Sequence, residues 1–279
     1  MWLEVRVRAT GDVDELAGRI AGEVGAASAG VEIRGELVVF WVAPEDAEPA
    51  AAAAAALGEV EIADAVPEAE WRDAYKRYFK PTRLTRQVVV VPSWETYVPA
   101  TDDLEIHIDP GQAFGTGSHA TTQLVLEAMQ ALADDGQAFS ELLDFGTGSG
   151  ILSIAAALLW PNARIAAIDI DPLAVAAARE NFDRNGVGDR VVLSCGADPA
   201  ALAIEPDLVL ANIQRPVLLP AVRPLTKLAA PRAVMLLSGL LADQLDEVSE
   251  AYQSSGWREA RRALEDPAGS WGLLELRRP

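Results

Sequence analysis

Two glycine-rich segments lie in tandem in this chain: residues 108–122, reading IDPGQAFGTGSHATT, and residues 142–151, reading LLDFGTGSGI. Glycines that follow a strand let the backbone turn sharply and let a ligand approach the main chain, and a helix behind them offers unpaired N–H groups. An acid, Asp169, ends the next apolar run. In that position its oxygens can accept hydrogen bonds from two ribose hydroxyls, because ligands of open α/β sheets bind beyond the carboxyl ends of the strands. This logic serves dinucleotides and S-adenosylmethionine alike. The dinucleotide fingerprint is G-x-G-x-x-G. Here Gly146, Gly148 and Gly150 are spaced G-x-G-x-G and Asp144 precedes them, which favours S-adenosylmethionine. A nicotinamide-dependent oxidoreductase is the competing reading, and a glycine turn with no ligand is the bland one.

A few other side chains are able to take part in chemistry. His119 stands at a helix start, where it is either a proton acceptor or a capping and packing residue. Asp198, after Cys195-Gly196-Ala197, is either an acceptor for an adenine amine or a surface loop acid. His107 sits on a strand and reads as structural. Cys195, the only cysteine, follows an apolar strand and reads as a small buried residue. With one thiol no internal disulfide forms.

The elements that would position these residues alternate regularly. From residue 87 onward, strands are expected at 88–91, 104–108, 142–145, 164–170, 190–194, 208–210, 234–237 and 273–276. Helices are expected from residue 118 or 119, with Leu124, Ala128 and Leu132 on one face, and at 151–159, 217–228 and 242–253. A further helix is bounded by Asp171 as N-cap, Pro172 at its first position and Gly186 past its end. Such alternation implies a mostly parallel, doubly wound α/β sheet. Residues 1–66 read as a smaller α+β unit. Its expected order is a strand at Leu3, Val5 and Val7, and a helix over 14–24 with Leu16, Ile20 and Val24 aligned. One or two strands over 31–42 turn at Gly35, a helix over 50–56 stands behind Pro49, and a strand spans 59–66. That order suggests a ferredoxin-like sandwich. Between the units, residues 71–86 carry six bases against Asp73, with Trp71, Tyr75, Tyr78 and Phe79 at helical spacing. They read as an interdomain helix, either substrate-facing or packing its aromatics. The domain division is 1–68, then a connector over 69–95, then 96–279.

At this point the chain resembles the ribosomal protein L11 methyltransferase family (PrmA). The segments IDPGQAFGTGSHATT, DFGTGSGILSIAA, AIDIDPLAVAAARENFDRNGV, DLVLANI and LLSGLLADQLDEVSEAY stand in the family's order, and WRDAYKRYFKPTRL resembles its connector. The adenosylmethionine core is widely shared; the loop over 109–122 is the specific part. The resemblance implies a class I methyltransferase domain and cofactor contacts at Thr122, Gly146, Asp169 and Asn212. Gly148, Phe114 and Asp198 complete the expected cofactor set, and Asn212 with His119 forms the candidate catalytic pair. It implies methylation of lysine side-chain and N-terminal α-amines of ribosomal protein L11, free or on the ribosome. A lysine must lose its proton first, since its ordinary pKa is about 10.4, and proximity then supplies most of the rest. Related readings are a lysine methyltransferase of another protein, such as an electron-transfer flavoprotein, and a non-catalytic binding factor. Two places depart from the family pattern: Gln214-Arg215-Pro216 after Asn212-Ile213, and Ala229-Ala230-Pro231-Arg232 in place of a Pro-Gly-Gly turn.

Composition bounds these readings. Half of the 279 residues are hydrophobic and 23% are charged, as expected of a well-cored protein. The net charge of −19 disfavours non-specific nucleic-acid binding, which needs phosphates neutralised. It suits a basic protein partner, or serves solubility alone. Apolar runs are broken well before the roughly 20 residues that a membrane span requires, and the N-terminus lacks signal-peptide features. The sequence reads as a cytoplasmic monomer with no metal.

Overall fold

The structure is a computed structural model. It describes residues 3–8, 13, 16–17, 19–20, 28–42, 46–62, 80–109, 119–265 and 270–279. The chain divides into two compact units, Met1–Phe79 and Lys80–Pro279.

The first unit contains β1 (Leu3–Arg8), β2 (Ser28–Arg34), β3 (Leu37–Val42), α1 (Ala47–Ala55) and β4 (Glu59–Ile62). Its sheet runs β2-β3-β1-β4 with every neighbouring pair antiparallel. With helical residues between β1 and β2 as well, this is the ferredoxin-like order. Gly35, at φ 63°, makes the β2–β3 turn. Val5, Val7, Leu16, Ile20, Phe40, Ala50 and Ala54 form the core. The alanine helix begins earlier than its sequence suggests, at Ala47. Pro49 lies inside its first turn, where no N–H is needed by the helix ladder. Val24 and residues 63–66, expected in a helix and a strand, lie outside the described residues.

The second unit opens with β5 (Thr82–Arg83), β6 (Val88–Val91) and β7 (Leu104–His107), a small sheet in which β6 and β7 are parallel. The helix expected over 71–86 does not extend through its last part. Pro81 cannot continue a helix, and Thr82–Arg83 pairs with β6 instead; residues 71–79 lie outside the described residues. Then follow α2 (Ala120–Asp134), β8 (Glu141–Phe145), α3 (Ile151–Leu159), β9 (Arg164–Asp169), α4 (Pro172–Arg184), β10 (Val191–Cys195), β11 (Leu208–Asn212), α5 (Arg215–Leu228), β12 (Val234–Leu241), α6 (Leu245–Gln253), β13 (Arg258–Leu264) and β14 (Trp271–Arg277).

The large sheet has the order β10-β9-β8-β11-β12-β14-β13. It is parallel from β10 to β12, whereas β14 runs antiparallel to both of its neighbours. The order reverses direction between β8 and β11, and that switch point is where open α/β sheets hold ligands. Side chains alternate between the faces: Leu142 packs with α2, α3 and α4, whereas Leu143 packs with α5 and α6. This is the doubly wound class I methyltransferase arrangement.

Candidate active site

β8 delivers Asp144 and Phe145 to the edge of the sheet, and the chain then turns through three left-handed glycines, Gly146 (φ 79°), Gly148 (φ 55°) and Gly150 (φ 84°). Only glycine adopts such angles without strain. Two of them also sit in close quarters. A Cβ on Gly146 would lie 2.8 Å from Cδ1 of Ile213, and one on Gly150 would lie 2.5 Å from the Phe182 ring. The turn is pinned to β9, because Gly146 N and Thr147 N both donate to the Ile168 carbonyl, at 2.9 and 3.0 Å. Left-handed strain costs about 1–2 kcal/mol and overpacking about 1–3, so Gly150→Ala is expected to destabilise the fold by about 2–5 kcal/mol in chemical unfolding. A loss no larger than the left-handed strain alone, about 1–2 kcal/mol, would mean that the Phe182 ring moves aside freely.

Beneath the turn, Asp144 is 1% exposed. One of its oxygens accepts from the hydroxyls of Thr147 and Ser153, each at 2.7 Å. Its other oxygen, Oδ1, has no partner among the described residues. Burial, with the charge of Asp169 adding to it, pushes this carboxyl up to about 6 against those two hydroxyl bonds. Sequence reasoning missed Ser153, whose signal is a lone hydroxyl within an otherwise apolar helix.

Asp169 ends β9 with its carboxylate fixed. Its Oδ2 accepts from Gly148 N at 2.8 Å and its Oδ1 from Asp171 N at 3.0 Å. Asp171 caps α4 through Leu173 N, and Ile170 and Leu173 beside it are 72% and 69% exposed. Asn212 is the last residue of β11 rather than a residue beyond it, and is paired in register with Ser238. Its Nδ2 donates to Oγ1 of the fully buried Thr122 at 3.3 Å, while its Oδ1 is buried with no hydrogen-bond partner among the described residues. Gly239, at φ 79°, lets β12 pass close to the Ile213 backbone. Thus the glycine turn, Asp169, Asn212 and Thr122 lie together at the switch point.

The remaining candidates are placed as follows. His119 is the N-cap of α2: its Nδ1 accepts from Thr121 N at 3.3 Å, and its ring stands edge-on to Trp271, with centroids 4.9 Å apart. Burial lowers its pKa, opposed by the charge of Glu265. Asp198 is exposed and caps a short helical turn through Ala200 N. His107 lies 3.5 Å from Glu105. Cys195 is exposed rather than buried, because β10 is an edge strand and the residue ends it. Gln214-Arg215-Pro216 starts α5, with Arg215 paired to Glu247 at 2.6 Å. Phe114 and residues 110–118 lie outside the described residues.

The family described as Ribosomal protein L11 methyltransferase (PrmA) matches residues 44–278. The chain belongs to that family. Among its members, the protein of that name from Pelotomaculum thermopropionicum is 34% identical over 99% of this chain and 98% of its own length. The one from Heliobacterium modesticaldum is 40% identical, the match covering 76% of this chain and 65% of that protein, so the matched part spans about two thirds of it. A crystal structure of ribosomal protein L11 methylase from Lactobacillus delbrueckii subsp. bulgaricus superposes with a TM-score of 0.63 at 30% identity, over 72% of this chain and all of that one. The family match takes in every element of the second unit, and therefore all the described site residues.

Proposed function

We propose that this chain is an S-adenosylmethionine-dependent methyltransferase acting on lysine side-chain and N-terminal α-amines of ribosomal protein L11. The observation that carries the reading is Asn212 Oδ1, a buried acceptor with no partner among the described residues, beside a glycine turn at the switch point. Such an orphan costs about 1–3 kcal/mol. An amine arriving there brings the missing N–H donors.

The residues fit the cofactor. The glycine turn is open to a ligand backbone-first, and a Cβ would crowd it against Ile213 or Phe182. Asp169 offers a fixed carboxylate for ribose hydroxyls, Ile170 an exposed apolar surface for an adenine ring, and Thr122 a hydroxyl near the acceptor amide. Gly148, Asp198 and Phe114 complete the expected contacts. When bound, S-adenosylmethionine supplies an electrophilic methyl group.

The chain's own work is to make the amine ready. Asn212 Oδ1 accepts one N–H and aims the nitrogen lone pair, and the buried surroundings disfavour the ammonium form. His119 has a supporting part in this reading. Its Nδ1 is committed to the helix cap, 3.3 Å from Thr121 N and 2.8 Å from Thr121 Oγ1. It shapes the channel, and the amine sheds its proton to solvent. The N-terminal unit, with 13 acids against 4 bases in residues 1–66, suits a basic protein substrate. We read residues 1–68 as the recognition domain, 69–95 as the connector and 96–279 as the methyltransferase domain of a cytoplasmic monomer. Among the described residues no helix is long and apolar enough to cross a membrane.

Incubating the protein with methyl-labelled S-adenosylmethionine and purified L11 is expected to label L11, with mass spectrometry placing the label on amines. Label entering only another protein would overturn the substrate. Cofactor binding without any transfer would reduce the chain to a binding factor.

A further inference from the structure

The last turn of α4 touches both glycine-rich segments of the sequence. On one side, Asn181, 7% exposed, donates from Nδ2 to the Ser149 carbonyl at 2.8 Å, within the glycine turn. On the other, Arg184 reaches Asp109, where the first segment leaves β7: its Nη2 lies 3.2 Å from Asp109 Oδ2. The same guanidinium donates from Nη1 to Asn181 Oδ1 at 3.2 Å. Asp109 is itself held by Ser93, through its N at 2.6 Å and its Oγ at 2.8 Å. Asn185 adds a second tie. It donates to the His107 and Asn181 carbonyls, at 2.9 and 2.8 Å, and accepts from His107 N at 2.7 Å.

We infer that Arg184 and Asn181 are positioning residues, a clamp that sets the glycine turn from outside the cofactor site and ties its geometry to Asp109. The reasoning is geometric. The Ser149 peptide lies between Gly148, whose N–H meets Asp169, and Gly150, whose ring neighbour Phe182 is the residue after Asn181. Rotating that peptide would move the N–H groups that face a ligand. A guanidinium can hold two acceptors at once with fixed angles, whereas an ammonium is a single point of charge. The inference rests on the reading of the glycine turn as the S-adenosylmethionine site.

The test is calorimetric titration of S-adenosylhomocysteine into the full chain and into Arg184→Met, Asp109→Asn, the double variant and Arg184→Lys. Because groups in one network couple, each single variant is expected to weaken binding by about five- to tenfold, and the double by about no more than the weaker single. Arg184→Lys should bind as poorly as Arg184→Met while keeping its thermal midpoint closer to that of the parent, and it stands in if the Met variant fails to fold. Unchanged affinity with a lowered midpoint would make the cluster merely structural and overturn the inference, as would losses that multiply in the double variant. If the parent itself binds no S-adenosylhomocysteine, the site reading falls and takes the clamp with it.

Discussion

Replacing Asp169 with alanine is expected to weaken S-adenosylmethionine binding by about two to three orders of magnitude, since hydrogen bonds to a charged group contribute about 1.5–3 kcal/mol each. Two losses combine. The ribose hydroxyls lose their acceptor, and Gly148 N–H loses the carboxylate that holds the turn in shape. The fold should survive, because the side chain is only partly buried at the end of β9 and the Ile168 carbonyl still anchors Gly146 and Thr147. Calorimetry with a circular-dichroism control separates lost binding from lost fold. An affinity within about threefold of the parent would refute the ribose role, since it leaves no room for even one such bond.

Asp144→Asn is expected to stabilise the protein at neutral pH and to do nothing for it in acid. Burial raises the Asp144 carboxyl from the ordinary 3.8 to about 6. The folded state therefore keeps that proton to higher pH than the unfolded chain does. Between those two values the folded state binds more protons, so its stability falls as pH rises. The advantage is fully present below about pH 4 and gone above about 7; its size is about 3 kcal/mol. An amide carries no charge to desolvate and still accepts from the Thr147 and Ser153 hydroxyls. The variant should melt about 5–10 °C higher than the parent at pH 8 and level with it near pH 4. A difference that does not change with pH would mean that the carboxyl titrates alike in the folded and unfolded states, so that burial does not raise it. Removing Asp169 should also ease Asp144, since the neighbouring charge is part of what raises it.

Much of this arrangement could be read from the chain because its signals are local. Asp171, Pro172 and Gly186 bracket α4 by cap chemistry alone, and the spaced glycines with Asp169 mark the ligand edge of the sheet before any strand order is known. What escaped reading depends on partners far away in sequence. β13, reading REARRAL, has no apolar stripe because it is an edge strand with one neighbour, and charged residues suit such an edge. Cys195 misleads for the same reason at the opposite edge. Asp144 with Ser153, a strand end on a helix, and Asn181 with Ser149, a helix on the turn, are contacts that no periodicity encodes. The left-handed start of α3 at Gly150 could be read, but the Phe182 ring that forbids a Cβ there could not.

The antiparallel β14 has a consequence for biosynthesis. It lies between β12 and β13, both of which precede it in the chain. Leu273 fills one face of the sheet and Leu274 and Leu276 the other. A nascent chain emerging from the ribosome amino end first can pair β8 to β12 as they appear, but β12 keeps an open edge until residues 271–277 follow. The core of the second unit therefore closes only after β14 has been made. A chain cut short before residue 271 would carry the entire glycine turn, Asp169 and Asn212 on a sheet lacking the strand that joins β13 to β12.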